Sequence, residues 1–244
     1  ASAFGLITSA FLLLSGDESA YFVAQKQPMK LAAMEGLYNG EKNAGLVAAG
    51  ILNPAKKLGD ESDAFLFEIK VPYALGIMAN RELDSFTPGI NDLLYGNSEH
   101  NLISVEEKMA KGKVAIEALK NYKEAKKAND ESLMKSSLSN LESNLNFLGY
   151  GYLKDAKEAV PPVALTFYSF HIMVVLGTYF IALFAITLYL NLSRKYKFEN
   201  IRAFLWICLF TIPLGYIAAE AGWIVTEVGR QPWVIQDLMT VGVG

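Results

Sequence analysis

The sequence predicts an all-α integral membrane protein: a transmembrane helix bundle made of the end of one helix plus two full spans, with a large, mainly helical extracytoplasmic segment. Three observations carry this expectation. Charged residues concentrate between Asp17 and Glu158, and long stretches outside that block are almost free of them. Two apolar runs follow the block, each of about 20 residues or more, the length that crosses the hydrocarbon of a bilayer. A short basic connection, "SRKYKFENIR", separates the two runs. A single globular core would not segregate its charges in this way.

Residues 1–15 are expected to be the end of a transmembrane helix. The stretch from Ala1 to Leu14 is apolar, but shorter than the roughly 20 residues that a span requires. No basic region precedes it, so it does not read as a signal peptide. The sequence starts without methionine and ends on "DLMTVGVG" with no stop signal, so the chain reads as cut at both ends.

Residues 16–159 are too polar for a membrane interior and form the extracytoplasmic segment. Within it, "QPMKLAAMEGLYNG" reads as a short helix from Pro28 to Gly36 or Gly40, with proline at the start and glycine at the stop. The stretch "AFLFEIKVPYALGIMANRELDSFTPGINDLL" is apolar enough to pack on something, the membrane surface included. The stretch from Ser104 to Leu148 is rich in Ala, Glu, Lys and Leu. Val114, Leu119, Leu138, Leu141 and Leu145 fall at helical spacing, which predicts one or two exposed amphipathic helices serving as a solvated lid or a partner surface.

Residues 160–192 are the first full span. Pro161 and Pro162 suit the first turn of its helix, and His171 is its only ionisable side chain of possible positive charge. Residues 193–202 hold Arg194, Lys195, Lys197 and Arg202 against Glu199. A short loop this basic faces the cytoplasm by the positive-inside rule, which places residues 16–159 outside. Residues 203–226 are the second span, with Pro213 and Gly215 as tolerated interruptions. Residues 227–244 then return to the outer side. Glu227 falls roughly 37 Å along the helix from Arg202, near the outer interface, where Trp223 and Trp233 would sit in an aromatic belt.

The net charge of −3 speaks against a nucleic-acid partner. Cys208 is the only cysteine and reads as a packing residue of its helix. There is no internal repeat and no glycine-rich phosphate loop.

The unusual stretch is "GWIVTEVGRQPW", Gly222 to Trp233. Glu227 and Arg230 are one turn apart where a helix should leave the bilayer, and Glu220 lies seven residues before Glu227 on the same face. An ionised carboxylate inside a bilayer costs roughly 2.5–3.5 kcal/mol on insertion scales, and pairing with Arg230 lowers that cost. The plain reading is an interfacial ion pair that ends a helix. The sharper one is a buried polar site, with Glu227 at a metal centre and Arg230 anchoring an anionic group such as a haem propionate.

The same string resembles the signature of subunit I of the cytochrome bd quinol oxidases, at Gly222, Trp223, Glu227, Gly229, Arg230, Gln231, Pro232 and Trp233. Two further stretches are similar to that family in the same order. "GDESAYFVAQKQPMKLAAMEG" resembles the start of its quinol-binding loop, and "VPPVALTFYSFHIMVVLG" resembles a helix that carries a methionine haem ligand. The looser "FEIKVPYALGIMAN" lies between them, and the resemblance is weakest between Asn97 and Leu153.

The resemblance implies roles position by position. Met173 would ligate the iron of a low-spin haem b. Glu227 would stand at the iron of a high-spin haem b in the oxygen-reducing centre, with Arg230 as charge partner beside it. Lys30 and Glu35 would bind and oxidise quinol. Glu220, Trp223, Gln231 and His171 complete the expected cofactor-binding set. His171 departs from the arginine that many relatives carry there, and it does not share a helix face with Met173. His100 reads as solvated. The histidine ligands of the family would lie before residue 1.

By the same resemblance, the intact subunit would hold two haems b and one haem d. It would work with a second subunit in the bacterial cytoplasmic (inner) membrane. Quinol would be oxidised on the outer face, and O2 reduced to water with protons from inside, which generates a proton-motive force without pumping; this segment alone is expected to be inactive. The competing readings are a non-catalytic membrane protein, such as a transporter or receptor segment, and a haem-free paralogue of the oxidase subunit.

Overall fold

The computed structural model describes residues 1–193 and 201–243. Its long helices are α1 (Ser2–Lys26), α7 (Val163–Leu192) and α8 (Arg202–Val228), which pack side by side. Between α1 and α7 lie α2 (Pro28–Glu35), β1 (Glu41–Lys42), β2 (Leu46–Leu52), β3 (Phe65–Val71), α3 (Ala74–Asn80), β4 (Phe86–Thr87) and α4 (Ile90–Tyr95). Then come α5 (Val105–Ala128), α6 (Glu131–Asn144) and two 3₁₀ segments, Leu145–Tyr152 and Ala156–Ala159. A hairpin of β5 (Trp233–Ile235) and β6 (Met239–Thr240) follows α8.

The chain is mostly helical, and α7 and α8 are long and apolar enough to cross a membrane. At 1.5 Å per residue, the 30 residues of α7 extend roughly 45 Å, the full thickness of a bilayer with its headgroups. Both helices expose large apolar side chains, among them Ile172, Val175, Tyr189, Trp206, Phe210 and Tyr216, as lipid-facing surfaces do. Between them, Thr211 donates to the Ile207 carbonyl, and Tyr179 and Thr211 share a hydroxyl contact of 2.6 Å. Helix α8 continues through Pro213.

The first boundary differs from expectation: α1 does not end near residue 15 but runs to Lys26. Gly16 has open space around it, and Asp17 and Glu18 lie within the helix, where Arg81 pairs with both, at 2.7 and 3.6 Å. The helix stops where Gln27 precedes Pro28, a position that disfavours helical backbone. Pro28 then opens α2, and Gly36 closes it at φ 61°, a left-handed conformation that glycine adopts without strain.

The segment between α1 and α7 also contains strands that the sequence did not lead us to expect. β2 and β3 pair antiparallel from Leu46↔Val71 to Leu52↔Phe65, with two bulges. One face of this hairpin is packed: Val47 and Leu52 join Phe167 of α7 in a small core, with Phe65 and Val163 against it. Residues Ile51, Phe67 and Ile69 on the other face are exposed. Two smaller sheets, β1–β4 and β5–β6, complete the strands among the described residues.

Helices α5 and α6 form as expected, each opened by a side-chain cap, Ser104 and Asp130. Their buried stripe is not the expected one, however. Val114, Leu138 and Leu145 are exposed, while α5 buries Val105, Met109, Gly112, Ala115, Ala118 and Ala125. Small residues let the backbone of the Leu145–Tyr152 segment come close. A Cβ at Gly112 would collide with the Gly151 nitrogen and the Phe147 carbonyl. Gly112→Ala is therefore expected to cost about 1–3 kcal/mol through backbone displacement. Limited proteolysis of the folded protein should show faster cleavage in the α5–α6 region. An unchanged cleavage rate would mean that the segment shifts freely.

Of the predicted basic connection, residues 194–200 lie outside the described residues.

Candidate functional site

The C-terminal end of α8 and the N-terminal turn of α2 meet. Arg230 Nη2 donates to Glu227 Oε2 at 2.6 Å, one helical turn apart, so the expected ion pair forms. Gln231 Nε2 donates to the Glu227 carbonyl at 3.2 Å. Lys30 reaches the same place from α2: it is 9% exposed, and Nζ lies 3.5 Å from the Thr226 carbonyl. Burial pushes the Lys30 ammonium below its ordinary pKa, Arg230 pushes it the same way, and Glu227 offsets part of this. Two cations thus share one carboxylate, and Arg230 Nε is buried without a partner. The cluster has room in its electrostatics for a further anion.

Glu35 does not join Lys30. The two are five residues apart on α2, which at 100° per residue turns them to different sides of the helix. Glu35 is 1% exposed and sits under β2, where Oε2 accepts the Val47 N–H at 3.3 Å. Oε1 is buried with no partner. Burial raises its pKa to about 7, and the Val47 bond only partly opposes this. A carboxyl poised near neutral pH is suited to taking and giving protons.

Val47 has a second partner. Its carbonyl lies 2.8 Å from His171 Nε2, while His171 Nδ1 lies 2.9 Å from the Phe167 carbonyl. Both ring nitrogens thus face protein carbonyls, and the ring lies on Phe167 at 4.0 Å. His171 is a strap between α7 and β2. Tyr168 adds a second strap by accepting the Leu52 N–H at 3.0 Å.

Met173 points elsewhere, to the α7–α8 contact. A Cβ built on Gly222 would lie 3.1 Å from Met173 Sδ, so the absence of a side chain at Gly222 makes the space the thioether occupies. Glu220 and Trp223 are exposed on α8, Trp223 at 63%.

Trp233 does not fit the belt. It is 3% exposed and belongs to a core with Leu94, Val105, Met109, Tyr150 and Leu153. Its ring meets Tyr150 edge-on at 4.7 Å. The turn after β5 is held to the same place: Tyr150 donates its hydroxyl to Asp237 Oδ1 at 2.8 Å, and the Gly149 N–H donates to the Asp237 carbonyl at 2.8 Å. Burial and Asp237 push the Tyr150 hydroxyl far above its ordinary pKa. His100, expected to be merely solvated, is exposed and stacks on Phe86 at 3.5 Å. Sequence reasoning missed Val47, Tyr168, Tyr150 and Asp237, because their partners are far away in sequence and none carries a motif.

Comparison with known proteins agrees with this architecture. The profile of the family described as "Cytochrome bd terminal oxidase subunit I" matches residues 1–244. The cytochrome bd-II ubiquinol oxidase subunit 1 of Escherichia coli is 32% identical over 255 residues, covering 98% of this chain and 46% of the relative. The cytochrome bd ubiquinol oxidase subunit 1 of Bacillus subtilis is 30% identical over 238 residues, covering 97% and 38%. In fold, the chain is similar to the bd oxidase of Geobacillus thermodenitrificans, with a TM-score of 0.60 at 24% identity over 96% of this chain and 38% of that one. The chain therefore spans less than half the length of these relatives.

Proposed function

The chain belongs to the family of cytochrome bd terminal oxidase subunit I, and we propose that it supplies the quinol-oxidising segment and part of the haem environment of a terminal quinol:oxygen oxidoreductase. The observation that carries this reading is the cluster at the end of α8. A carboxylate–guanidinium pair at 2.6 Å lies beside a buried lysine, and one guanidinium nitrogen is left unsatisfied.

The residues present fit a share of the haem sites. Met173, a thioether between two spanning helices, would hold the iron of a low-spin haem b. Glu227 would stand at the iron of a high-spin haem b, with haem d as its companion. Arg230 Nε is the donor that an anionic propionate satisfies. Glu220, Trp223 and Gln231 would border that site, and His171 would steady the helix that presents Met173. Bound haem supplies one-electron chemistry between quinol and oxygen.

The chain's own groups manage protons and position. Glu35, poised near neutral pH, accepts a proton from a quinol hydroxyl as general base. Lys30 approaches from the opposite side of α2 and offers a donor to a quinone oxygen or to an anion at the Arg230 cluster. Arg230 holds Glu227 in place. The outer location of residues 16–159 and the cytoplasmic location of residues 193–202 are supported by the positive-inside rule. In this reading the membrane is the bacterial cytoplasmic (inner) membrane, quinol protons leave on the outer side, and a second subunit completes the complex. The family match argues against a transporter or receptor segment.

A reduced-minus-oxidised visible spectrum of the full-length subunit with its partner tests the assignments. Glu227→Ala is expected to remove the high-spin b and d features while the low-spin band survives, and Met173→Leu to do the reverse. Unchanged bands in both variants would reduce the α8 cluster to an interfacial ion pair. Absence of all haem bands from the parent would favour a haem-free paralogue.

A further inference from the structure

We propose that the cleft beneath the β2–β3 hairpin is the proton exit of the quinol site: Glu35 empties its proton into it, and the charged wall passes the proton to the outer medium. The inference rests on the reading of Glu35 as the group that receives the quinol proton. It goes further by naming where that proton leaves.

Three observations carry it. Glu35 is 1% exposed, yet its Oε1 has no hydrogen-bond partner. An unsatisfied buried carboxyl oxygen is costly, and one in a native protein calls for an explanation. Secondly, Glu35 lines an open cavity of about 460 Å³, large enough for several waters. Thirdly, the wall of that cavity carries four carboxylates, Glu41, Glu61, Asp63 and Glu68, with Lys56 and Lys70 as counter-charges. Lys70 stands between Glu41 and Glu68, 3.4 Å from each.

The pairing register explains why these groups face inwards. Lys70 pairs with Val47 and Glu68 with Gly50, so their side chains share the face that carries Val47, whose own N–H binds Glu35. The apolar residues Ile51 and Ile69 occupy the other face, while Leu66 and Phe67 reach the edge of the cavity. A wall this rich in charge is a poor seat for a quinol ring, which favours a mostly apolar pocket. It suits water and carboxylates that exchange protons. The step moves no electrons: protonated Glu35 gives its proton to a water or carboxylate in the cleft, is left as a carboxylate, and is ready for the next quinol hydroxyl.

The test uses the full-length subunit with its partner in proteoliposomes, comparing the parent, Glu35→Gln and the double variant Glu41→Gln/Glu68→Gln. The double variant is expected to lose about tenfold in kcat, within the range of lost proton-transfer catalysis, with the quinol KM unchanged. A small weak acid, formate, should restore its turnover by carrying protons through the cleft. If the double variant turns over like the parent while Glu35→Gln is inactive, the exit assignment is overturned and the role of Glu35 stands. A loss that formate does not restore would mean structural damage and overturns it equally. Normal turnover in Glu35→Gln would remove the underlying reading instead.

Discussion

Glu35→Gln is expected to abolish quinol oxidation in the intact subunit and at the same time to stabilise the segment between α1 and α7 above pH 7. Loss of a general base costs about a hundredfold or more in kcat, and the amide cannot take the proton. The gain in stability comes from the same burial. Folding raises the Glu35 carboxyl from its ordinary 4.5 to about 7, so between these values the folded chain holds a proton that the unfolded chain has lost. Stability then falls as pH rises from about 4.5 to about 7 and stays reduced above that. The gap corresponds to roughly 3 kcal/mol. Glutamine has no charge to bury, and its carbonyl oxygen can still accept the Val47 N–H. Thermal unfolding of that segment, followed by protease sensitivity, should show parent and variant nearly alike at pH 4.5 and the variant more stable at pH 8. Equal stability at pH 8 would mean that Glu35 reaches solvent once the whole subunit is assembled.

The membrane helices were legible because a bilayer imposes length and apolarity on them, and few other environments do. The site was legible only in part. Glu227 and Arg230 were recognisable as a pair because three residues along a helix bring side chains together. Nothing in the sequence says that Lys30 joins them and Glu35 does not, because that depends on which sides of α2 face α8 and β2. The hairpin was hidden for a different reason. "LVAAGIL" and "FLFEIKV" are short runs in which strand and helix are hard to tell apart, and the twelve residues 53–64 between them are too long for the two-residue loop that announces a hairpin. Helix α5 buries glycine and alanines, which a search for larger apolar residues overlooks. The straps from His171 and Tyr168 to β2 follow from tertiary packing alone.

Those straps give the hairpin a mechanical meaning. One residue, Val47, is held on its nitrogen side by Glu35 and on its carbonyl side by His171. His171 is two residues from Met173 on α7. The carboxyl assigned to quinol and the helix assigned to the low-spin haem are therefore joined through a single strand residue.

Trp233→Ala is expected to be the most destructive substitution at the end of the signature, whereas Trp223→Ala, in the same motif, should be nearly silent in stability. The difference is burial: 3% exposure against 63%. Removing a buried tryptophan costs about 3–5 kcal/mol, here from a core that also holds Tyr150, Met109 and Val105. Trp233 is three residues from Arg230, and its N–H donates to the Arg230 carbonyl at 3.0 Å. Loss of the anchor therefore loosens the turn that presents the Arg230–Glu227 pair. Tyr150→Phe removes only the hydroxyl bond to Asp237, about 1 kcal/mol in net terms, and should fall between the two. Trp233→Ala should thus lower the temperature at which the high-spin haem features are lost, while the low-spin band near Met173 persists to higher temperature. Heating membranes of each variant and recording both bands provides the measurement. Simultaneous loss of both bands would mean that Trp233 supports the whole fold and has no particular hold on Arg230.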